Sequence, residues 1–126
     1  SPAHHDAVLA QTSHLPHLLA YALIDTLSMQ GDSLEIFDYA AGGLRDFSRI
    51  AASDPVMWRD IYQANSGPVL TILDRYMKEL MELRELIAND QSEELTAVFT
   101  RAKLARDHFS VLLSQRGQTT NSKEIP

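Results

Sequence analysis

Apolar residues recur at alternating intervals of three and four in the second half of the chain, which is the pattern of an amphipathic α-helix. Two such segments, residues 68–88 and 91–115, flank a short polar stretch. The apolar positions of the first are Val69, Leu73, Tyr76, Leu80, Leu83 and Ile87. Those of the second are Leu95, Val98, Ala102, Ala105, Phe109 and Leu112. This pattern predicts an antiparallel helical hairpin with coiled-coil-like seams, whose second helix opens with a capping box of Asp90 and Glu93.

The first helix is predicted over residues 2–29. Ser1 and Pro2 suit its N-cap and its first position, and Gly31 suits the C′ position that ends it. Pro16 lies inside this segment and cannot donate a hydrogen bond to the carbonyl of Thr12. We therefore expect the first helix to kink at Pro16.

A stripe of polar side chains follows one side of this first helix. With Ser13 as the origin and ~100° per residue, His17 lies at about 40°, Tyr21 at about 80° and His14 at about 100°. The other positions from 15 to 24 are almost wholly apolar, which is typical of a buried helix. Because a polar stripe on a buried helix must face a partner or a cavity, the stripe is predicted to form one wall of a ligand pocket.

Three short helices are predicted in the centre of the chain, over residues 33–41, 44–52 and 55–64. Gly42 and Gly43 separate the first two, and adjacent glycines indicate backbone with positive φ or a close approach of another group. Asp54 and Pro55 suit the start of the third helix. We expect residues 1–116 to form one domain and the polar residues 117–126 to form a disordered tail or a linker. With no strand-like alternation, the fold class is all-α: a helical bundle with a long kinked first helix, short central helices and a C-terminal hairpin.

Composition narrows the function classes. The formal net charge is −6, which argues against nucleic-acid binding, because that binding depends on a high density of Lys and Arg. No apolar run reaches the ~18 residues of a membrane span. The absence of cysteine excludes disulfides and thiolate chemistry and is consistent with a cytoplasmic protein. The chain begins in helix-forming sequence without an initiator Met, so we expect it to be a fragment of a longer protein.

The polar stripe itself does not predict metal or nucleophilic chemistry. His14 and His17 share a face, but no His-Glu-x-x-His motif, cysteine or carboxylate in the stripe completes a zinc site. Ser13 and His17 are four residues apart, yet a serine within a helix lacks the strained turn and oxyanion hole of acyl transfer. The sequence contains no Gly-x-Gly-x-x-Gly motif and no alternation of strands and helices, so it does not predict a dinucleotide-binding fold.

Arginines near the glycine pair favour an anion pocket. Arg45 and Arg49 are four residues apart, and a planar guanidinium binds a carboxylate in a bidentate manner. The alternative for Arg45 is that it is a surface charge. Arg49 lies among apolar residues and is expected to be packed and paired, with a structural salt bridge to Asp46 or Asp54 as the alternative interpretation. By the same reasoning Arg59 and Asp60 are surface neighbours, Trp58 and Tyr21 are core residues, and His4 and His5 are exposed. The residues alone therefore predict a helical assembly module with a buried site for a small anion.

Three sequence blocks closely resemble the C-terminal helical domain of the prephenate/arogenate (cyclohexadienyl) dehydrogenases. The first is His5-Asp6-x-x-Leu9-x-x-x-Ser13-His14-Leu15-Pro16-His17. The second is Gly42-Gly43-Leu44-Arg45-Asp46-Phe47-Ser48-Arg49-Ile50-Ala51, and the third is Ser53-Asp54-Pro55-x-Met57-Trp58. They stand in the family's order and spacing over the first half of the chain. The C-terminal hairpin agrees with the family in pattern only.

The resemblance implies a homodimeric enzyme of tyrosine biosynthesis. Such enzymes convert prephenate to 4-hydroxyphenylpyruvate, or arogenate to tyrosine, by NAD(P)-dependent oxidative decarboxylation. An N-terminal Rossmann domain, absent from this chain, holds the NAD or NADP and supplies the catalytic histidine. The fragment alone is therefore expected to be inactive and to contain no catalytic or metal-binding residue.

The resemblance also assigns roles to particular residues. Ser13 and His17 match substrate contacts, His14 beside them is assigned to the same substrate-binding set, and Arg49 matches the arginine that binds a substrate carboxylate. A second set matches a segment that reaches the partner subunit's pocket: Gly42, Gly43, Arg45, Asp46 and Trp58. Tyrosine resembles the product and is a plausible inhibitor. The preferred substrate, the preferred nicotinamide and any fusion to another shikimate-pathway enzyme stay open, as does the alternative of a non-catalytic helical dimer that senses an aromatic acid.

Overall fold

The structure, a computed structural model, describes residues 1–39 and 42–124. This part of the chain is helical almost throughout and contains no strand, so the predicted all-α class is confirmed. The chain divides into two compact units, of which the first is Ser1–Met77 and the second begins at Lys78. The elements in order are α1 (Pro2–Leu9), a π-helical segment (Ala10–His14), α2 (Leu15–Ser28), α3 (Ser33–Asp38), α4 (Gly42–Ser48), a 3-10 segment (Arg49–Ala52), α5 (Pro55–Ala64), α6 (Ser66–Ala88) and α7 (Ser92–Glu124).

The predicted first helix exists, and its regular hydrogen bonding is interrupted next to Pro16. The backbone stays right-handed from α1 to α2, but Ala10–His14 is π-helical. Proline has no N–H and its ring collides with the carbonyl four residues earlier in a regular α-helix, and the wider π-helical turn gives the ring more room. Ser1 caps α1 by accepting a hydrogen bond from the backbone N–H of His4 at 3.3 Å, as predicted.

Two glycine predictions are wrong. Gly31 does not end α2 as a left-handed C′ residue, because no described glycine has a positive φ. The last turn of α2 is closed instead by the N–H of Met29, which donates to the carbonyl of Asp25 at 3.1 Å. Gly42 and Gly43 form the first turn of α4 rather than a break, and a Cβ at either would have nothing within 4 Å. Glycine adopts right-handed helix as readily as left-handed backbone, so a glycine pair alone does not define a turn.

The central segments otherwise follow the prediction. Helix α3 ends at Asp38, and the predicted end of that helix at residues 40–41 lies outside the described residues. The predicted 44–52 helix becomes α4 and a following 3-10 segment. Asp54 caps α5 by accepting from the N–H of Val56 at 3.3 Å, with Pro55 at the first position, as predicted.

Helix α2 is the element around which the first unit packs, since α3, α4 and the 3-10 segment all contact it. The hydroxyl of Tyr21 donates to the carbonyl of Ser53 at 2.7 Å and ties α2 to the start of α5. The buried side chains of this unit are Ala10, His14, Leu15, Ala20, Trp58 and Val69. Tyr21 is thus a packed residue with a satisfied hydroxyl, as one reading of the sequence predicted.

The C-terminal hairpin is formed by α6 and α7, and Arg101 pairs with Glu79 between them at 3.6 Å. The predicted capping box is wrong, because Asp90 ends α6 instead of opening α7. Its φ is 54°, its N–H donates to Ile87 at 3.3 Å, and the N–H of Gln91 donates to Leu86 at 2.9 Å. This is the Schellman arrangement, in which a left-handed residue satisfies the last carbonyls of a helix.

Helix α7 is longer than predicted. It continues past the expected end at Gln115 to Glu124, so the backbone of the predicted polar tail is helical as far as it is described. The division into a domain of residues 1–116 and a tail stays a prediction. Every residue from Phe99 to Gly117 is exposed, including Leu104 at 62% and Phe109 at 51%. No described helix is long and apolar enough to cross a membrane.

Candidate functional site

The two histidines of the polar stripe meet two aromatic rings of helix α5, Trp58 and Tyr62. His17 stacks on Trp58 with ring centroids 3.8 Å apart and an interplanar angle of 19°. His14 meets the edges of Trp58 and Tyr62 at 6.1 and 6.2 Å, and Trp58 lies 5.7 Å from Tyr62. We call His14, His17, Trp58 and Tyr62 the aromatic cluster. The stripe therefore does face a partner, and that partner is helix α5 of the same chain.

Local sequence explains why α5 presents these rings. Asp54 and Pro55 define where α5 begins, and this sets the direction in which each later side chain points. Trp58 and Tyr62 are four residues apart, so they lie one above the other on the same face of the helix. The hydroxyl of Tyr62 donates to the carbonyl of His14 at 2.7 Å, in the π-helical segment. Burial and the nearby Tyr21 raise the pKa of Tyr62 to about 12, so this hydroxyl keeps its proton at neutral pH.

His17 has a defined arrangement of ring protons. Its Nδ1 lies 2.9 Å from the carbonyl oxygen of Ser13. A carbonyl oxygen can only accept, so Nδ1 must carry the hydrogen, and in the neutral ring Nε2 is then an acceptor. The hydroxyl of Ser13 makes no hydrogen bond with the described part of the chain and is half-buried beside this contact. Both groups are therefore available to a ligand.

His14 is the buried polar residue of the site, with 8% of its surface exposed. Burial lowers the pKa of His14 below its usual 6.5, nearby His17 lowers it further, and the carboxylate of Asp6 acts in the opposite direction. The amide Nδ2 of Asn65 approaches its Nδ1 at 3.2 Å. His14 is therefore an uncharged imidazole at neutral pH.

A pH dependence of stability follows from His14. Because its pKa is lower in the folded chain than in the unfolded chain, the unfolded chain binds the proton more readily, and acidification below about 6.5 favours unfolding. We expect the Tm to fall between about pH 7.5 and about pH 5.5, and this fall to be smaller in a His14→Gln variant. Thermal melts by circular dichroism measure it. His4→Gln, at an exposed position on α1, is the matched control, and an identical response of both variants would contradict the role of His14.

The expectation that Arg49 is packed is wrong, and so is the alternative of a salt bridge to Asp46 or Asp54. Arg49 is exposed on the 3-10 segment and forms no ion pair with Asp46, Asp54 or any other described residue. Its segment packs against α2, the helix that carries His17. Arg59, by contrast, pairs with Asp60 at 3.0 Å on the surface, as predicted. Arg49 therefore offers a cation that is not neutralised within the described chain.

Of the residues predicted to reach a partner subunit, Trp58 belongs to the aromatic cluster and the other four lie on α4. Gly42, Gly43, Arg45 and Asp46 are exposed on α4, which packs on α2 without a described contact to the cluster rings. Trp58 is buried and stacks on His17 of its own chain. The assignment of these residues to the partner's pocket stays a prediction.

Two features of the site point to a bound ligand. A cavity of about 240 Å³ is lined by Asp6, His14, Ile61, Ala64 and Asn65. The indole Nε1 of Trp58 is buried and has no hydrogen-bond partner within residues 1–39 and 42–124. A buried donor without an acceptor costs free energy, which a ligand acceptor would recover. No group of three His, Asp or Glu side chains in the described chain could hold a metal ion.

Sequence reasoning missed Asn65 and the role of Tyr62. Asn65 is 51 residues from His14 in the chain, so no local pattern connects them. The four-residue spacing of Tyr62 from Trp58 was the sequence feature that could have placed Tyr62 on the same face of α5. A polar residue at the end of a helix such as α5 is most often a cap, which hides a second role for Asn65.

Comparisons with known proteins identify the family of the chain. The family model for the prephenate dehydrogenase dimerization domain matches residues 1–101. The chain is 42% identical over 108 residues to a cyclohexadienyl dehydrogenase from Zymomonas mobilis, covering 84% of the chain and 37% of the relative. It is 36% identical over 118 residues to a prephenate dehydrogenase from Bacillus subtilis, covering 93% of the chain and 31% of the relative.

Solved structures extend the likeness to the fold. One is prephenate dehydrogenase from A. aeolicus in complex with hydroxyphenyl propionate and NAD+, with a TM-score of 0.79 and 43% identity over 86% of this chain and 38% of that one. Another is Synechocystis arogenate dehydrogenase, with a TM-score of 0.81 and 30% identity over 86% of this chain and 40% of that one. The chain spans 37% and 31% of the two curated relatives. The match over most of this chain shows that it belongs to the prephenate dehydrogenase dimerization domain family.

Proposed function

We propose that this chain is the substrate-binding and dimerisation part of a prephenate/arogenate dehydrogenase. The reaction is the NAD(P)-dependent oxidative decarboxylation of prephenate to 4-hydroxyphenylpyruvate, or of arogenate to tyrosine. The observation that carries the proposal is the unpaired Arg49 on a segment packed against the helix whose His17 stacks on Trp58. The named relatives and the hydroxyphenyl propionate in the A. aeolicus structure support it.

The chemistry of the substrate fits the side chains of the site. Prephenate is a dianion built on a cyclohexadiene ring, so a pocket for it needs a cation, hydrogen-bond donors and a flat apolar wall. Arg49 supplies a guanidinium that binds one carboxylate in a bidentate manner. Ser13 and the Nε1 of Trp58 supply donors that lack a described partner, and the aromatic cluster supplies the flat wall.

A bound NAD or NADP would supply the oxidant of the reaction as a hydride acceptor. The described residues form no strand and no Gly-rich turn before a helix, so they do not fit a dinucleotide. We infer that NAD or NADP binds elsewhere in the full-length protein, together with the catalytic groups. The residues of this chain bind and orient the substrate.

A homodimer is part of the proposal. The large apolar side chains of α7 between Phe99 and Leu113 are exposed in a single chain, and so are Met77, Met81 and Ile87 on α6. Exposed apolar area of this extent is typical of a surface that another protein covers. The family's description as a dimerization domain supports a second copy of this chain as that protein. Gly42, Gly43, Arg45 and Asp46 are then proposed to reach the partner's pocket, and tyrosine to compete for it as an inhibitor.

An assay of the full-length protein tests the proposed function. Prephenate and arogenate are each supplied with NAD and with NADP, and formation of the reduced nicotinamide is followed. We expect turnover of at least one pair, inhibition by tyrosine, and a sedimentation mass equal to two chains. Absence of turnover together with tight binding of tyrosine would contradict the enzyme and favour a helical dimer that senses an aromatic acid. The cytoplasmic location stays a prediction.

A further inference from the structure

His14 occupies a position that the proposed substrate contacts do not explain. It is the buried polar residue between the cavity lined by Asp6 and Asn65 and the aromatic cluster. An imidazole in such a place can donate or accept at each ring nitrogen, and the two tautomers offer opposite groups to a ligand. The neighbours of His14 decide which tautomer the protein presents.

Asn65 is the neighbour that makes this choice. Its Nδ2 lies 3.0 Å from the backbone carbonyl of Asp6 and 3.2 Å from Nδ1 of His14. The orientation of the amide is determined by Asp6, since a carbonyl oxygen can only accept and would repel the amide oxygen. Nδ2 carries two hydrogens and faces these two acceptors. Nδ1 of His14 must therefore be unprotonated.

We propose that Asn65 is a positioning residue that holds His14 in its neutral Nε2–H tautomer, so that His14 offers a hydrogen-bond donor to an oxygen of the substrate. The tautomer follows from the geometry of residues 6, 14 and 65, and the substrate contact rests on the proposed function. His17, three residues and about one turn further along the chain, has the opposite tautomer, because its Nδ1–H donates to the backbone carbonyl of Ser13. The stripe thus presents one donor and one acceptor through two imidazoles.

The surroundings of His14 are consistent with an uncharged ring. Asp6 on α1 lines the same cavity and favours the charged form, whereas His17 on α2 disfavours it. Tyr62 on α5 keeps its hydroxyl proton and donates it to the backbone carbonyl of His14, so it adds no charge. Burial outweighs Asp6, and the pKa of His14 is lowered. A neutral donor at His14 suits a site whose positive charge comes from arginine.

The test reverses the polarity of the amide. In Asn65→Asp the carboxylate can only accept, so the neutral His14 must move its proton to Nδ1 and leave Nε2 as a bare acceptor. The new charge also raises the pKa of His14. Gln63→Glu is the matched control, because it makes the same change of charge at an exposed position on α5, two residues away. Asn65→Ala removes the donor without adding charge, and circular dichroism verifies that each variant folds.

Two readouts are measured on the full-length protein. The first is the NMR spectrum of ¹⁵N-labelled histidine, in which couplings from the ring nitrogens to the ring C–H groups identify the tautomer. We expect an Nε2–H tautomer for His14 in the wild type and in Gln63→Glu, Nδ1–H in Asn65→Asp, and a mixture in Asn65→Ala. A His14→Gln variant assigns the signal. An Nδ1–H tautomer in the wild type, or an unchanged one in Asn65→Asp, would overturn the proposal.

The second readout is the pH profile of kcat/KM. In Asn65→Asp the charged ring at low pH still donates from Nε2, and the neutral ring at high pH does not. We therefore expect kcat/KM to fall about tenfold from about pH 6 to about pH 8, relative to the same ratio in Gln63→Glu. A merely structural role would lower activity equally at both pH values and would overturn the substrate contact. A wild type without turnover would overturn the proposed function, while the NMR result would still decide whether Asn65 sets the tautomer.

Discussion

Replacing Arg49 with alanine is expected to lower kcat/KM for prephenate or arogenate by about 30- to 900-fold, which corresponds to about 2–4 kcal/mol. The reason is that Arg49 is not neutralised by any described carboxylate, so its full capacity for a bidentate contact is available to the substrate. Removing it would leave a substrate carboxylate in the pocket without its counter-charge. Steady-state kinetics of the full-length protein measure the effect.

Matched variants separate this role from a general effect of charge. Arg49→Lys keeps the charge but loses the planar fork, so we expect an intermediate loss. Arg59→Ala removes a surface arginine that already pairs with Asp60, and its kinetics are expected to match the wild type. The free energy of unfolding of Arg49→Ala is expected to stay within about 0.5 kcal/mol of the wild-type value, since Arg49 forms no ion pair with the described residues that the substitution could remove. Equal kcat/KM in Arg49→Ala and Arg59→Ala would refute the carboxylate role.

The contacts of Arg49 could not be predicted from the local sequence pattern alone. The four-residue spacing of Arg45 and Arg49, and the nearby Asp46, predict contacts only if one regular α-helix contains them. The structure changes from α4 to a 3-10 segment at Arg49. A 3-10 segment has fewer residues per turn, so the relative directions of these side chains change. The helical conformation of this segment could be predicted from the sequence, whereas the change from α-helix to 3-10 helix at Arg49 could not.

Features with a strong local cause were predicted more reliably. Pro16 has a fixed stereochemical effect, and the helix is interrupted beside it. The cap at Asp54 needs only neighbouring residues and is present. The sequence around Asp90 is compatible with two roles: an N-cap of the helix that follows or the last residue of the helix that precedes it. The Schellman hydrogen bonds at the end of α6 show that Asp90 has the second role. The contact of Asn65 with His14 depends on how α5 packs against the first helix, which no spacing in the sequence reveals.

Loss of Trp58 from the aromatic cluster is expected to destabilise the protein. Trp58 is 7% exposed, stacks on His17 and contacts His14 and Tyr62, so it joins α5 to the helix that carries the stripe. Trp58→Ala is expected to lower the free energy of unfolding by about 3–5 kcal/mol, because a large buried ring is lost and a cavity is left. Denaturant unfolding of the full-length protein, followed by circular dichroism, measures this loss.

Trp58→Phe separates packing from hydrogen bonding at the same position. Phenylalanine keeps a ring against His17 and removes Nε1–H, which has no acceptor in the described chain, so we expect a stability loss of only about 1 kcal/mol. If that N–H donates to the substrate, kcat/KM of Trp58→Phe falls about tenfold although the protein remains folded. A phenylalanine variant with wild-type kinetics would show that the indole N–H does not bind substrate. An alanine variant as stable as the wild type would show that Trp58 does not hold α5 against the first helix.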